Sequence, residues 1–256
     1  MTARLEARDV TVRFGGLDAL DRFGIAVPPG AIVGLIGPNG AGKTTSFGVM
    51  SGLLRPREGT VLIDGVDVTR ASPQRRARRG LARTFQRLEL FSELTVREHL
   101  VVAYRTGRRN VALRLALDCL GAGARPYPDE NDTVDEILTR LRLSRVASAP
   151  AAALPLGTGR LVEVARALAA QPRVLLLDEP SSGLDASETR ALADVLHRLR
   201  TEQGLSLVLV EHNVEMVLGL ADHVTVLDFG KVIAEGTAAE IRASDVVQAA
   251  YLGTGA

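Results

Sequence analysis

The sequence predicts an α/β fold: a parallel sheet, an antiparallel β layer near the N-terminus and an inserted helical subdomain. Three observations carry this. "AIVGLI" (31–36), "RVLLLD" (173–178) and "LSLVLV" (205–210) are short continuous apolar runs separated by helical patterns, as in parallel strands buried on both faces. "LEARDVTVRF" (5–14) alternates apolar and polar residues, and "GTVLIDGVDV" (59–68) reads as a hairpin around Asp64-Gly65, which together predict the antiparallel layer. Between about 87 and 157 the texture turns helical, in "TVREHLVVAYRTGRRNVALRLALDCL" and "TVDEILTRLRL", broken by the loop "GAGARPYPDEND". The C-terminal part resumes with "VTVLDFGKVIAEG", a hairpin, then a short helix and the tail "DVVQAAYLGTGA".

Composition bounds the function without choosing it. With 256 residues, 46% of them hydrophobic, the chain can bury a sizeable core. Its 31 basic and 30 acidic residues leave a net charge of +1, so there is no electrostatic case for a nucleic-acid partner, and an anion must be bound locally. The run "QRRARRGLAR" (74–83) has no interleaved aromatics to stack bases and reads as a solvated helix face. Cys119 is the single cysteine, which suits a reducing cytoplasm and excludes an internal disulfide. No apolar run of about 18 residues and no signal-peptide core occur, so the chain is expected to be soluble while free to dock on a membrane protein.

"GPNGAGKTT", Gly37, Pro38, Asn39, Gly40, Ala41, Gly42, Lys43, Thr44 and Thr45, follows an apolar strand and precedes a helical stretch, the context of a P-loop. Glycines let the backbone wrap a phosphate with its N–H groups, and a helix N-terminus adds its dipole. Lys43 is placed to reach the β- and γ-phosphates, and Thr44 to offer its hydroxyl to Mg²⁺. There is no guanine-selecting Asn-Lys-x-Asp run, which sets small GTPases aside, whereas "RTGRRN" imitates a kinase lid only weakly. "RVLLLDEP" narrows the field. Asp178, at a strand end, is placed to hold Mg²⁺ through its water shell. Glu179 beside it is suited to orient or deprotonate a water attacking the γ-phosphate, a pairing that favours hydrolysis over transfer to a bulky acceptor.

"GPNGAGKTT", "RTFQ" ending in Gln86, "LLLDEPSSGLD" and "LVLVEH" ending in His212 stand in the order and approximate spacing of a known family. Over essentially its whole length the chain resembles the ATP-binding subunits of ABC transporters. The resemblance implies ATP and Mg²⁺ as ligands and a single ATPase domain over 1–256. Residues 1–86 and 158–256 would form the ATP-binding core and 87–157 the helical subdomain. It implies that Phe14 stacks on adenine, where the plain alternative is a buried strand-end aromatic. Gln86 would sense Mg²⁺ and the γ-phosphate, His212 would contact the γ-phosphate, and Asp185 would belong to a loop crossing to a partner subunit. "VRFGGLDAL", "LARTFQRLELFSELTVREHL", "EHNVEMVLGLADHVTVLDFGKVIAEGT" and "AAYLG" look like the ATPases of branched-chain amino acid importers and their urea and amide relatives. Lipopolysaccharide-export ATPases share the P-loop and the ending "YLG". A soluble ABC-type ATPase of an assembly pathway also stays open at this point.

One stretch departs from the family. Where Leu-Ser-Gly-Gly-Gln is common, this chain has Leu154, Pro155, Leu156, Gly157 and Thr158, then Gly159 and Arg160. By the resemblance this segment closes over the ATP of a second ATPase subunit in a head-to-tail dimer, a heterodimer or a homodimer. Pro155 removes a hydroxyl donor, but proline is tolerated in a first helical turn, so the helix should survive, with Thr158 and Gly159 still supplying N–H groups. A lost charge-assisted hydrogen bond weakens closure by about 1.5–3 kcal/mol. The resemblance also implies two membrane permease subunits, indirectly a solute-binding protein, and a cytoplasmic location on the inner face of the membrane. Leu90 and Phe91 would be exposed apolar contacts for a permease helix, unless both pack within the helical subdomain.

Overall fold

The structure, a computed structural model, describes residues 2–84, 88–108 and 127–252. The chain divides into two compact units, Met1–Gln86 with Arg173–Ala256, and Arg87–Pro172.

The first unit holds two sheets. Strands β1 (Leu5–Phe14), β2 (Leu17–Val27), β4 (Glu58–Ile63) and β5 (Val66–Asp67) form an antiparallel sheet in the order β2-β1-β4-β5. The hairpin between β4 and β5 turns at Asp64 and Gly65, which take φ of 49° and 75°. Two successive positive φ values define the turn whose twist suits a two-residue hairpin, and Asp-Gly is a preferred pair for it.

The second sheet runs β10-β9-β3-β8-β7-β6, from β3 (Ile32–Ile36), β6 (Leu81–Arg83), β7 (Val174–Asp178), β8 (Ser206–Val210), β9 (His223–Asp228) and β10 (Lys231–Gly236). Its pairs are parallel except β9 with β10. Every residue of β3, β7 and β8 is buried, which explains why these runs are apolar without alternation. Helix α1 (Lys43–Ser51) adds Phe47, Val49 and Met50 to a core shared with Leu5 and Phe23 of the antiparallel sheet and Leu35, Leu176 and Val208 of the other.

Helix α2 (Pro73–Ala77) starts at an N-cap Ser72 with Pro73 in its first turn. Here the expected solvated arginine face fails. Arg76 is fully buried and donates to the carbonyls of Val49, Met50, Thr69 and Ala71. Burial pulls its guanidinium down to about 10. Charge counting along the run could not reveal this, because the acceptors are carbonyls that the end of α1 and the β5–α2 segment bring together.

In the second unit, α3 (Val96–Gly107) opens with a capping box of Thr95 and Glu98, and α4 (Glu130–Arg140) follows the segment 109–126 that lies outside the described residues. Helix α5 (Leu156–Ala169) packs against both α3 and α4 and is part of this unit. The unit therefore ends at Pro172, beyond the 157/158 boundary expected from sequence. The physical reason is α5's apolar face, which finds its partners on α3 and α4. The rest of the first unit supplies α6 (Ala186–Gln203), α7 (Val214–Leu220), α8 (Ala238–Arg242) and α9 (Asp245–Leu252). Among the described residues no helix is long and apolar enough to cross a membrane.

Candidate functional site

Strand β3 ends at Ile36 and α1 begins at Lys43, leaving Gly37–Gly42 as the connecting loop. Two of its glycines are required by geometry. Gly42 has φ 107°, and a Cβ there would lie 2.6 Å from the Ala19 carbonyl oxygen; Gly37 has φ 153°, and a Cβ would lie 2.0 Å from that of Leu227. Any side chain would push the loop off the neighbouring backbone. Asn39, Gly40, Ala41, Gly42, Lys43, Thr44 and Thr45 line a cleft of about 390 Å³, to which Glu179 and His212 also contribute.

Lys43 is buried, and its ammonium donates to the carbonyls of Gly37 at 2.5 Å and Pro38 at 2.9 Å. Burial lowers its pKa, opposed by the charges of Glu179 and Asp178. A lysine so placed is a point charge held where an anion in the loop would meet it. Thr44 is exposed on the cleft wall.

The other wall comes from two adjacent strand ends. β7 and β8 pair in parallel with Asp178 opposite Val210. Glu179 extends this pairing by donating its N–H to the Val210 carbonyl, while its φ of 48° bends the chain away. His212, beyond the end of β8, then reaches it: Nε2 lies 2.7 Å from Oε1 of Glu179, a geometry that requires the proton on Nε2. A carboxylate oriented by a histidine, facing a loop built for phosphate, can position a water and take its proton.

Asp178 does not line the cleft. It is buried, with Oδ2 accepting from Arg83 at 2.8 Å. Burial raises its pKa, and the Arg83 guanidinium acts in the opposite sense. Phe14 is 53% exposed, so it is not a buried strand-end aromatic, yet it also does not line the cleft. Its cross-strand partner Leu17 does. Gln86 lies outside the described residues.

The family model described as "ABC transporter" matches residues 20–182, and one described as "Branched-chain amino acid ATP-binding cassette transporter" matches residues 231–256. The chain belongs to the ABC transporter family. It is an ATP-binding subunit of that family and an ATPase. It is 36% identical over 249 residues, 97% of each chain, to the high-affinity branched-chain amino acid transport ATP-binding protein BraF of Pseudomonas aeruginosa and equally so to LivG of Escherichia coli. The methionine import ATP-binding protein MetN of Burkholderia thailandensis is 37% identical over 243 residues, covering 93% of this chain and 66% of its own. The ATP-binding cassette MJ1267 in its ADP conformation superposes with a TM-score of 0.84 at 30% identity, covering 99% of this chain and all of that one. The cassette MJ0796, dimeric and bound to ADP and Pi, gives 0.76 at 25% identity over 91% of this chain and 98% of its own.

In this ABC ATPase the segment that departs from the family's common sequence retains its helix. Pro155 is the N-cap of α5 rather than a residue of its first turn, and it offers no side-chain cap. Gly159 donates its N–H to the Pro155 carbonyl, so it is not a free donor, contrary to expectation. The N–H groups ahead of that first helical bond belong to Leu156, Gly157 and Thr158; Leu156 is exposed, Leu154 and Thr158 are half-buried, and Gly157 is buried. Asp185 caps α6, accepting from the N–H groups of Ser187 and Glu188, which hold its carboxyl below the usual range. Phe91 is 63% exposed and stacks on His99, whose Nε2 accepts the Phe91 N–H, whereas Leu90 is half-buried.

Three contributors stand inside quoted stretches, "RTFQ", "LVLVEH" and "AAYLG", but were given no role there: Arg83, Glu211 and Tyr251. Arg83 pairs with Asp178, donates to the Ser51 hydroxyl and lies over the Phe47 ring. Glu211 is buried between Val210 and His212 and accepts the Ser181 N–H at 2.7 Å, tying the two strand-end loops together. The Tyr251 phenol in α9 is pushed up to about 12 by burial, with the Gly37 backbone N–H hydrogen-bonded to it. The motifs place these residues in the sequence, but their contacts come from segments far apart in the chain.

Proposed function

We propose that this chain binds ATP with Mg²⁺ in the cleft of Gly37–Thr45 and hydrolyses it to drive import of branched-chain amino acids or related small polar solutes. The observation that carries the reading is the 2.7 Å contact of His212 with Glu179 on the wall opposite the phosphate loop. Backbone N–H groups and the α1 N-terminus hold the phosphates, and Lys43 neutralises the terminal ones. Glu179 orients the attacking water and accepts its proton, while His212 fixes the carboxylate and faces the γ-phosphate. The Thr44 hydroxyl and the Asp178 carboxylate are hard oxygen donors of the kind Mg²⁺ takes alongside phosphates and waters, and Gln86 completes the set. Bound Mg²⁺ would neutralise charge on the β- and γ-phosphates. Phe14 serves the adenine.

The amino acid reading is supported by the match of residues 231–256 and by the likeness to BraF and LivG along nearly the whole chain. The subunit works at the inner face of the membrane on two permease chains, with Phe91 among the contacts. It pairs head to tail with a second ATPase, and Leu154–Thr158 and Asp185 face that partner's nucleotide. Uptake of labelled leucine and ATP turnover in the complex purified from membranes test the whole reading. Glu179→Gln should lower turnover at least a hundredfold while ATP still binds, and Lys43→Ala should weaken binding itself. Normal turnover in Glu179→Gln would reject the site, and leucine uptake unchanged when the chain is deleted would reject the solute.

A further inference from the structure

We infer that Phe229 is a stacking residue for the nucleotide base, an apolar wall at the mouth of the phosphate cleft. The inference rests on the reading that the phosphates of a nucleotide occupy Gly37–Thr45. Phe229 and Gly230 are the two residues between β9 and β10, with φ of 42° and 79°. This is the same kind of turn that the chain makes elsewhere with Asp64 and Gly65, and its first position favours Asn, Asp or Gly. A phenylalanine with positive φ is an outlier for a bulky side chain, and such strain persists where the surroundings hold it for a purpose. The ring gains no burial in return, since Phe229 is 85% exposed.

The surroundings do hold it. Gly230 donates to the carbonyl of Ala41 and accepts from the N–H of Asp21, both at 2.9 Å, so the turn is bonded directly to the phosphate loop and to β2. Phe229 lines the same cleft as Lys43, Thr44 and Thr45, and Leu17, itself 72% exposed, is the other large apolar side chain there. A cleft with a polyanion cradle and an exposed aromatic at its rim matches a ligand that carries phosphates at one end and a flat π system at the other. A free phosphate would use only the cradle. The β9–β10 turn thus contributes a second apolar contact for a purine, beside the β1–β2 hairpin that carries Phe14 and Leu17.

The experiment compares ATP with inorganic tripolyphosphate on the full chain. Phe229→Ala should weaken ATP binding roughly tenfold and leave tripolyphosphate binding unchanged, as expected for loss of one base–aromatic stack. Phe229→Asn restores the residue the turn prefers, so it should raise Tm while weakening ATP; a purely structural role would lower both or neither. The chain has no tryptophan, so Phe229→Trp introduces a single one, whose emission, excited apart from the tyrosines, should be quenched by ATP and not by tripolyphosphate. Unaltered ATP affinity in Phe229→Ala, whatever happens to association with a partner subunit, overturns the inference, as does unaltered emission at saturating ATP. Lys43→Ala separates the two levels. If it leaves tripolyphosphate binding intact, the phosphate reading fails and this inference with it; if it abolishes that binding while Phe229 has no effect, the base contact alone is wrong.

Discussion

Arg83 and Asp178 form an ion pair whose side chains are only 12% and 5% exposed. Two charges removed from water are tolerable only while each compensates the other, and removing one leaves the second with its full desolvation penalty. Arg83→Met should therefore destabilise the fold by about 3–5 kcal/mol, read as a shift in urea midpoint with unchanged slope. Adding Asp178→Asn to that variant should recover part of the loss, because no buried charge is then left unpaired. Full additivity of the two changes would show that the pair is not coupled. The residue scale also separates roles at the cleft: Glu179 and His212 touch each other at the wall, whereas Asp178 is held behind it by Arg83, the first residue of "RTFQ".

Helix starts in this chain depend on charged caps. Asp185 on α6, Glu98 on α3 and Glu240 on α8 each accept backbone N–H bonds that hold their carboxyls below the usual range. A depressed carboxyl contributes stability above its unfolded pKa and loses it as pH falls through the folded value. The fold should thus weaken progressively below about pH 4. Asp185→Asn keeps a side-chain acceptor at the cap but cannot titrate, so its thermal unfolding should vary less with pH in that range than that of the parent. An identical pH profile would assign acid sensitivity to other groups. Helix α5 takes a different course, since its N-cap is Pro155 and no side chain covers its first N–H groups. Burial of Val162, Val164, Ala165 and Leu168 keeps it helical, as is usual when packing outweighs local propensity.

At the scale of the whole molecule, the proposed function has the cleft residues serve the ATP held by this chain, whereas Pro155 would bear on the ATP held by a second ATPase subunit. In a heterodimer the two sites are then unequal. Glu179→Gln in this subunit should remove most ATP turnover of the complex, and the equivalent change in the other ATPase should remove less. Steady-state hydrolysis by the two single-variant complexes measures this directly. Equal loss from both would mean that the proline does not weaken closure.

The chain's strand runs, both hairpins and the P-loop are legible in sequence because each depends on neighbours within a few residues: strand periodicity, turn chemistry at Asp64-Gly65, glycine where φ is positive. The placing of Glu179 beside the loop is legible as well, as a carboxylate next to the last residue of an apolar strand, whereas Asp178 turns to Arg83 behind the wall. What the sequence left undecided depends on parts far apart in the chain. Arg76 looked like one of a solvated run until distant carbonyls met it in the core. Arg83 acquired its partner only because β6 lies beside β7, and α5 joined the helical unit only because α3 and α4 offered it a face. Phe229 looked like a hairpin residue until Gly230 bound Ala41 and set the ring at the mouth of the phosphate cleft. Local pattern determined which elements form and which chemistry they carry; the tertiary structure alone decided which charges are buried and which side chains share a cleft, because burial and contact are properties of segments brought together from afar.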